Sequence, residues 1–249
     1  MDLVAPRLCD ICEVGLQHRE LFYRWGPRRD MCSLCEDKLD RLNKPFCEHC
    51  GEAFDGRHLD ASFECANCRD RKLWFDFAIS AYRTENEVRD LIHLYKFKRR
   101  LRLRQTLASM LVDVLISDHR LVDVLANDDA ILVPVPLHRK RRSDRGFNQA
   151  LHLTRLAARE LRMPWVNCLR RIRETTPQSQ LNRVERLKNL RGAFVVHRPF
   201  WRKSEPVRDR TVILIDDVFT TGTTATECAK VLIGDGGARR VVVATVARG

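Results

Sequence analysis

The segment Thr211–Thr224, TVILIDDVFTTGTT, constrains what this 249-residue chain can fold into more than any other. Thr211–Ile215 is a continuous apolar and β-branched run, the mark of a strand buried on both faces, as in a parallel sheet flanked by helices. It ends in two carboxylates, Asp216 and Asp217, at the carboxyl edge where open α/β sheets bind ligands. Thr220, Thr221, Gly222, Thr223 and Thr224 follow as a small hydroxyl-rich turn into a helix. Thr224 and Glu227 have capping-box spacing, which predicts the helix start at Thr224. Backbone N–H groups and the positive helix end at such a turn attract an anion, and Gly222 removes the Cβ that would block close approach. Adjacent carboxylates do not bind phosphate; they suit sugar hydroxyls or a metal. Anion donors beside diol acceptors fit a phosphorylated ribose, most simply phosphoribosyl pyrophosphate. A plain strand–turn–helix is the rival reading, but isolated caps need no paired acids. A Walker B strand also ends in acids, yet no G-x-x-x-x-G-K-[ST] occurs in the chain.

Around this segment, strands and helices alternate. Phe77–Tyr82 reads as a strand, Glu85–Tyr95 as a helix, and helical periodicity follows Lys96–Arg104 to about Leu125. Ile131–Leu137 is a strand ending in prolines, Arg139–Gly146 a basic loop, and Asn148–Leu161 a helix that stops before Pro164. Ala193–Val196 is a short strand. A helix from Thr224 to Ile233 closes at Gly236–Gly237, and Arg240–Ala247 is another buried strand. The alternation predicts an α/β fold with a parallel sheet over residues 73–249.

Residues 1–72 have a different composition. Eight of the ten cysteines form four Cys-x-x-Cys pairs there, Cys9/Cys12, Cys32/Cys35, Cys47/Cys50 and Cys65/Cys68. Two such turns place four thiolates around one Zn²⁺, so the segment predicts a double zinc ribbon with one or two structural zinc ions. Tandem pairing (9/12 with 32/35, 47/50 with 65/68) and cross-braced pairing (9/12 with 47/50, 32/35 with 65/68) both suit the spacing. Redox dithiols or an iron–sulfur cluster are the competing uses.

A formal charge of +12 and a pI near 9.5 favour an anionic partner without saying which. The run Lys96–Arg104 either follows a single-stranded nucleic-acid backbone or is an amphipathic surface whose basic face meets water. No apolar run approaches ~18 residues, and the N-terminus lacks a signal-peptide pattern, so the expectation is a cytoplasmic protein without membrane insertion.

Val212–Thr224 resembles the phosphoribosyl pyrophosphate motif of type I phosphoribosyltransferases. Together with the four cysteine pairs, HLYKFKRR (His93–Arg100), VPVPLHRKRRSDRGFNQA (Val133–Ala150) and TTPQSQLNRVERLKNLRGAF (Thr175–Phe194), the whole chain resembles the ComF/GntX family. The resemblance implies a double zinc ribbon before a type I phosphoribosyltransferase-like domain, with a role in natural competence and the use of imported DNA. It implies that Asp216 and Asp217, the catalytic pair, take the ribose hydroxyls and that Thr220–Thr224 take the 5′-phosphate. Val135, Pro136 and Leu137 would present backbone groups to pyrophosphate and its Mg²⁺, with Arg139, Lys140 or Arg145 supplying charge. Gln178, Gln180 and Arg183 would lie on a lid, and other competence proteins would be partners. A transferase of the pentosyl class and a non-enzymatic protein that binds or organises single-stranded DNA are both compatible with the resemblance. A third reading is an adaptor whose ribbons dock another protein.

Overall fold

The computed structural model describes residues 7–16, 30–43, 45–54, 64–69, 71–126, 129–174, 190–197 and 206–249. Its strands are β1 (Ala78–Arg83), β2 (Ala130–Pro134), β3 (Leu169–Arg171), β4 (Phe194–Val196), β5 (Thr211–Phe219) and β6 (Arg240–Arg248). The helices are α1 (Ser33–Glu36), α2 (Ala66–Arg69), α3 (Asn86–Phe97), α4 (Leu103–Ser117), α5 (His119–Ala126), α6 (Arg139–Arg145), α7 (Gln149–Glu160) and α8 (Thr223–Gly234). Four strands make one parallel sheet in the order β1–β6–β5–β2, and β3 and β4 pair antiparallel as a separate hairpin. The fold is the expected α/β class, with two four-cysteine clusters ahead of the parallel sheet.

The continuous apolar strands explain the layering. Successive side chains of a strand point to opposite faces. On β5, Ile213 and Ile215 join a core with α3, α4, α5 and α7, while Val212 and Leu214 face α8 and the β3–β4 hairpin. Val242, Ala244 and Val246 against Val241 and Val243 repeat the division on β6. Helix α4 lies against β1, β6 and α7 and buries Leu103, Leu107, Met110, Leu111 and Leu115 completely, so it is apolar around most of its circumference.

Several boundaries differ from the sequence reading, each for a local reason. The helical stretch before Leu125 is two helices, because Asp118 is extended and its Oδ1 accepts the Arg120 N–H at 2.9 Å, starting α5. The basic segment after Leu137 is helix α6 rather than a loop, closed by Gly146 in the left-handed conformation. Helix α8 begins one residue before the capping-box position, after Gly222 at φ +70°. Glu227 is diverted from any capping box: its carboxylate accepts the Gly192 N–H at 3.0 Å.

The cysteine segments cover the open edge of β1, which would otherwise present unpaired backbone groups. Leu42 N–H donates to Ala81 O, Arg83 N–H to Asp40 O, and Ala78 N–H to His49 O. Cys9, Cys32 and Cys35 pack into the core layer of α4, whereas Cys47, Cys50, Cys65 and Cys68 pack into the layer of α8. The two clusters thus straddle the edge strand. Among the described residues no helix is long and apolar enough to cross a membrane.

Candidate functional site

A cavity of about 410 Å³ opens at the carboxyl edge of the sheet. Its floor is the end of β5, Asp216 to Phe219, and the following turn. Gly222 has two independent reasons to be glycine. Its φ is +70°, and a Cβ there would stand 2.6 Å from Phe219 Cζ. The turn is pinned by the Thr226 N–H on Gly222 O and a 3.0 Å contact between the Thr221 and Thr223 hydroxyls. Thr220, Gly222, Thr223 and Thr224 line the cavity. Thr221 faces the neighbouring cleft, and its carbonyl accepts from Arg71 Nη1 at 2.6 Å.

Asp216 and Asp217 are held differently. Asp216 is partly exposed and its Oδ1 accepts the Asp217 N–H at 2.9 Å; Asp217 is buried, with Lys96 Nζ 2.5 Å from its Oδ2. Although Asp216 keeps part of its surface in solvent, desolvation by the surrounding protein first, and then the charge of Asp217, hold its carboxyl well above its usual range. Burial works on Asp217 in the same sense, but Lys96 and the neighbouring groups outweigh it and its pKa lies below the ordinary value. The pair therefore joins a favoured carboxylate charge on Asp217 to a disfavoured one on Asp216, which a cation or a ligand donor can offset.

Cations surround the acids. Helix α3 presents Arg89, Ile92, His93, Lys96 and Phe97 to the cavity, positions i, i+3, i+4, i+7 and i+8 of one helical face. Helix α6 contributes Arg141 and Arg145, and β3 contributes Arg171. Burial pulls the Arg171 guanidinium down to about 10, still charged at neutral pH. Five cations against two carboxylates leave a cavity that suits a polyanion.

Val135, Pro136 and Leu137 form the wall between β2 and α6. Val135 donates its N–H to Ile215 O, and its carbonyl accepts from Asn148 Nδ2 at 3.0 Å. Pro136 has no N–H, so among the described bonds the segment's remaining donor is the Leu137 N–H. Arg139 and Lys140 are exposed and do not line the cavity; Lys140 pairs with Glu174 at 2.8 Å. Gln178, Gln180 and Arg183 lie outside the described residues.

The residues missed by sequence reasoning are Arg89, His93, Lys96, Arg141 and Arg171. The helical stripe on α3 was a usable signal, since its polar members recur at helical spacing. Lys96 belongs to the basic run, but that run is largely committed to the protein itself. Arg99 donates to Asp144 O, Arg100 to Glu13 and Lys96 to Asp217, while Arg102 pairs with buried Asp10.

The cysteines form two sequential groups, Cys9–Cys12–Cys32–Cys35 and Cys47–Cys50–Cys65–Cys68, whose ligand atoms all lie within 4.8 Å of one another. This is the tandem pairing. A tetrahedron with Zn–S arms of ~2.3 Å has edges of about 3.8 Å. The Cys12–Cys32, Cys65–Cys68 and Cys50–Cys65 sulfurs stand 3.7, 3.6 and 3.5 Å apart, so the clusters fit such an ion. The two knuckles repeat in detail. Cys9 N–H bonds Val14 O as Cys47 N–H bonds Glu52 O, and Cys32 N–H points to Cys9 Sγ as Cys65 N–H does to Cys47 Sγ, both at 3.4 Å. Glu13 and Gly51 occupy the same left-handed turn position, at φ 59° and 66°.

The sheet, the helices around its carboxyl edge and the paired clusters define a type I phosphoribosyltransferase-like α/β fold with two N-terminal four-cysteine knuckles. No family profile matches the chain. Over 237 residues, 95% of each chain, it is 30% identical to DNA utilization protein YhgH of Escherichia coli (strain K12). It is 31% identical to competence protein F of Haemophilus influenzae over 209 residues, 82% of this chain and 85% of that one. Competence protein ComFC of Streptococcus pneumoniae is 28% identical over 223 residues, 88% of this chain and 87% of that one. The chain belongs to the ComF/GntX family.

Proposed function

We propose that the protein binds phosphoribosyl pyrophosphate with Mg²⁺ at the end of β5 and acts in competence and the use of imported DNA. The observation that carries the ligand reading is one cavity lined by Asp216, Asp217, Thr220, Gly222, Thr223, Thr224 and five cationic side chains. Phosphoribosyl pyrophosphate has vicinal hydroxyls for the acids, a 5′-phosphate for the threonine turn and a pyrophosphate for the arginines of α6 and β3. Mg²⁺ bound with the pyrophosphate would share its charge. If C1–O cleavage follows, Arg141, Arg145 and Arg171, which line the cavity, would face the charge gathering on the leaving pyrophosphate, and preorganised cations lower that barrier. The DNA-related process comes from the names of the relatives. Each four-cysteine cluster holds a structural zinc ion.

Titration calorimetry with phosphoribosyl pyrophosphate and Mg²⁺ tests the ligand. Saturable binding is expected in the intact protein, with at least a hundredfold loss in Asp216→Asn/Asp217→Asn. Equal binding by the double variant would sink the assignment of the acids.

A further inference from the structure

We infer that Arg71 and Arg248 tie the turn Thr220–Gly222 to the second four-cysteine cluster, making both arginines positioning residues for the ligand. The inference rests on reading that turn as the phosphate site. Arg71 links the cluster and the turn directly: its backbone N–H donates to the carbonyl of the cluster ligand Cys68 at 3.0 Å, and its Nη1 donates to Thr221 O at 2.6 Å. Arg248, at the end of β6, has a side chain only 9% exposed. It donates to Cys50 O at 3.2 Å, reaches Glu52 Oε2 at 3.2 Å and places Nη2 3.8 Å from Cys50 Sγ. On its other side it lies over the Phe219 ring at 5.3 Å, with Nη1 3.5 Å from Phe219 O.

Phe219 is the residue against which Gly222 packs, so both ends of the turn lean on the cluster. The first cluster has no comparable link among the described contacts. Its neighbour Asp10 is tied instead to Thr106 and Arg102, on the opposite core layer. A hydroxyl-rich turn with one left-handed glycine has little cost of opening by itself, and charged hydrogen bonds to its carbonyls supply the order that anion binding needs. Such coupling is reciprocal: a ligand that orders the turn must also strengthen the second cluster.

Hydrogen exchange on the full, zinc-loaded chain tests this without any ligand. Amides of residues 220–224 should exchange roughly tenfold faster in Arg71→Ala than in the unaltered protein, the worth of one charged hydrogen bond. Arg71→Lys should recover part of that protection. Arg248→Gln is the second variant, expected to act in the same direction should Arg71→Ala fail to fold. With a chromophoric zinc chelator, phosphoribosyl pyrophosphate and Mg²⁺ should slow release of one of the two ions, and Arg71→Ala should abolish that selectivity. Unchanged exchange at 220–224 in a folded Arg71→Ala, or equal slowing of both ions, overturns the inference. Failure of the unaltered protein to bind phosphoribosyl pyrophosphate would overturn the ligand assignment, while the exchange result still decides the role of Arg71.

Discussion

At the scale of single residues, the acids at the end of β5 hold a state that folding alone would not choose. The Asp216 carboxyl is raised well above its usual value, chiefly by burial and then by Asp217. The folded protein keeps a proton that the unfolded chain loses near pH ~3.9, so stability from this group is full below that pH and declines as pH rises toward the folded value. Asp216→Asn should therefore raise the melting temperature at pH 7 and leave it unchanged near pH 3.5, while removing ligand affinity. An Asn variant that melts lower at pH 7 would contradict the assigned environment. Gly222→Ala should cost about 1–3 kcal/mol in denaturant unfolding, from its positive φ and its approach to Phe219. A neutral result would mean that the turn relaxes freely. The acids and threonines were legible in the sequence because their chemistry is contiguous. Lys96 was not, because a lysine that pairs with a buried aspartate looks the same as its solvated neighbours until α3 is placed over β5.

At the scale of elements, strands were easier to read than short helices. The runs at β2, β5 and β6 are apolar because both their faces are buried, and that leaves an unbroken signal. Helix α6 buries no residue, so RKRRSDR has no apolar face to announce it, and the choice of Arg141 and Arg145 over Arg139 and Lys140 depended on that helix. The capping box failed for a tertiary reason, since Glu227 is bound to Gly192 N–H across the fold. Asn148 joins two elements: its Oδ1 accepts the Ala150 N–H to start α7, and its Nδ2 holds the Val135 carbonyl. Asn148→Ala should destabilise the protein by about 1–2 kcal/mol and weaken ligand binding with it. Loss of stability with unchanged affinity would show that Val135–Leu137 needs no such support.

At the scale of the whole molecule, the two knuckles stabilise the domain by covering the edge of β1 from both core layers. Sequence spacing left their pairing open because only the path of the chain around β1 decides it. Elemental analysis should return two zinc ions per chain, and chelation should lower the melting temperature of the parallel-sheet fold on which the clusters pack. One ion, or none, would contradict the double tetrathiolate account. The charge of +12 is partly internal: of the six basic residues in Lys96–Arg104, at least four contact other protein groups among the described residues. Lys98→Ala/Arg104→Ala should accordingly leave any binding of single-stranded DNA, and its salt slope, unchanged. A slope reduced by about one or more would place phosphate contacts there.

In the proposed site, one edge of the sheet receives a ribose by its hydroxyls and its phosphate together. Crystals soaked with phosphoribosyl pyrophosphate and Mg²⁺ test it most directly. Density is expected with the ribose hydroxyls on Asp216 and Asp217, the 5′-phosphate within the Thr220–Thr224 turn and the pyrophosphate toward Arg141, Arg145 and Arg171. Ligand density elsewhere, or a ribose turned away from both aspartates, would contradict it.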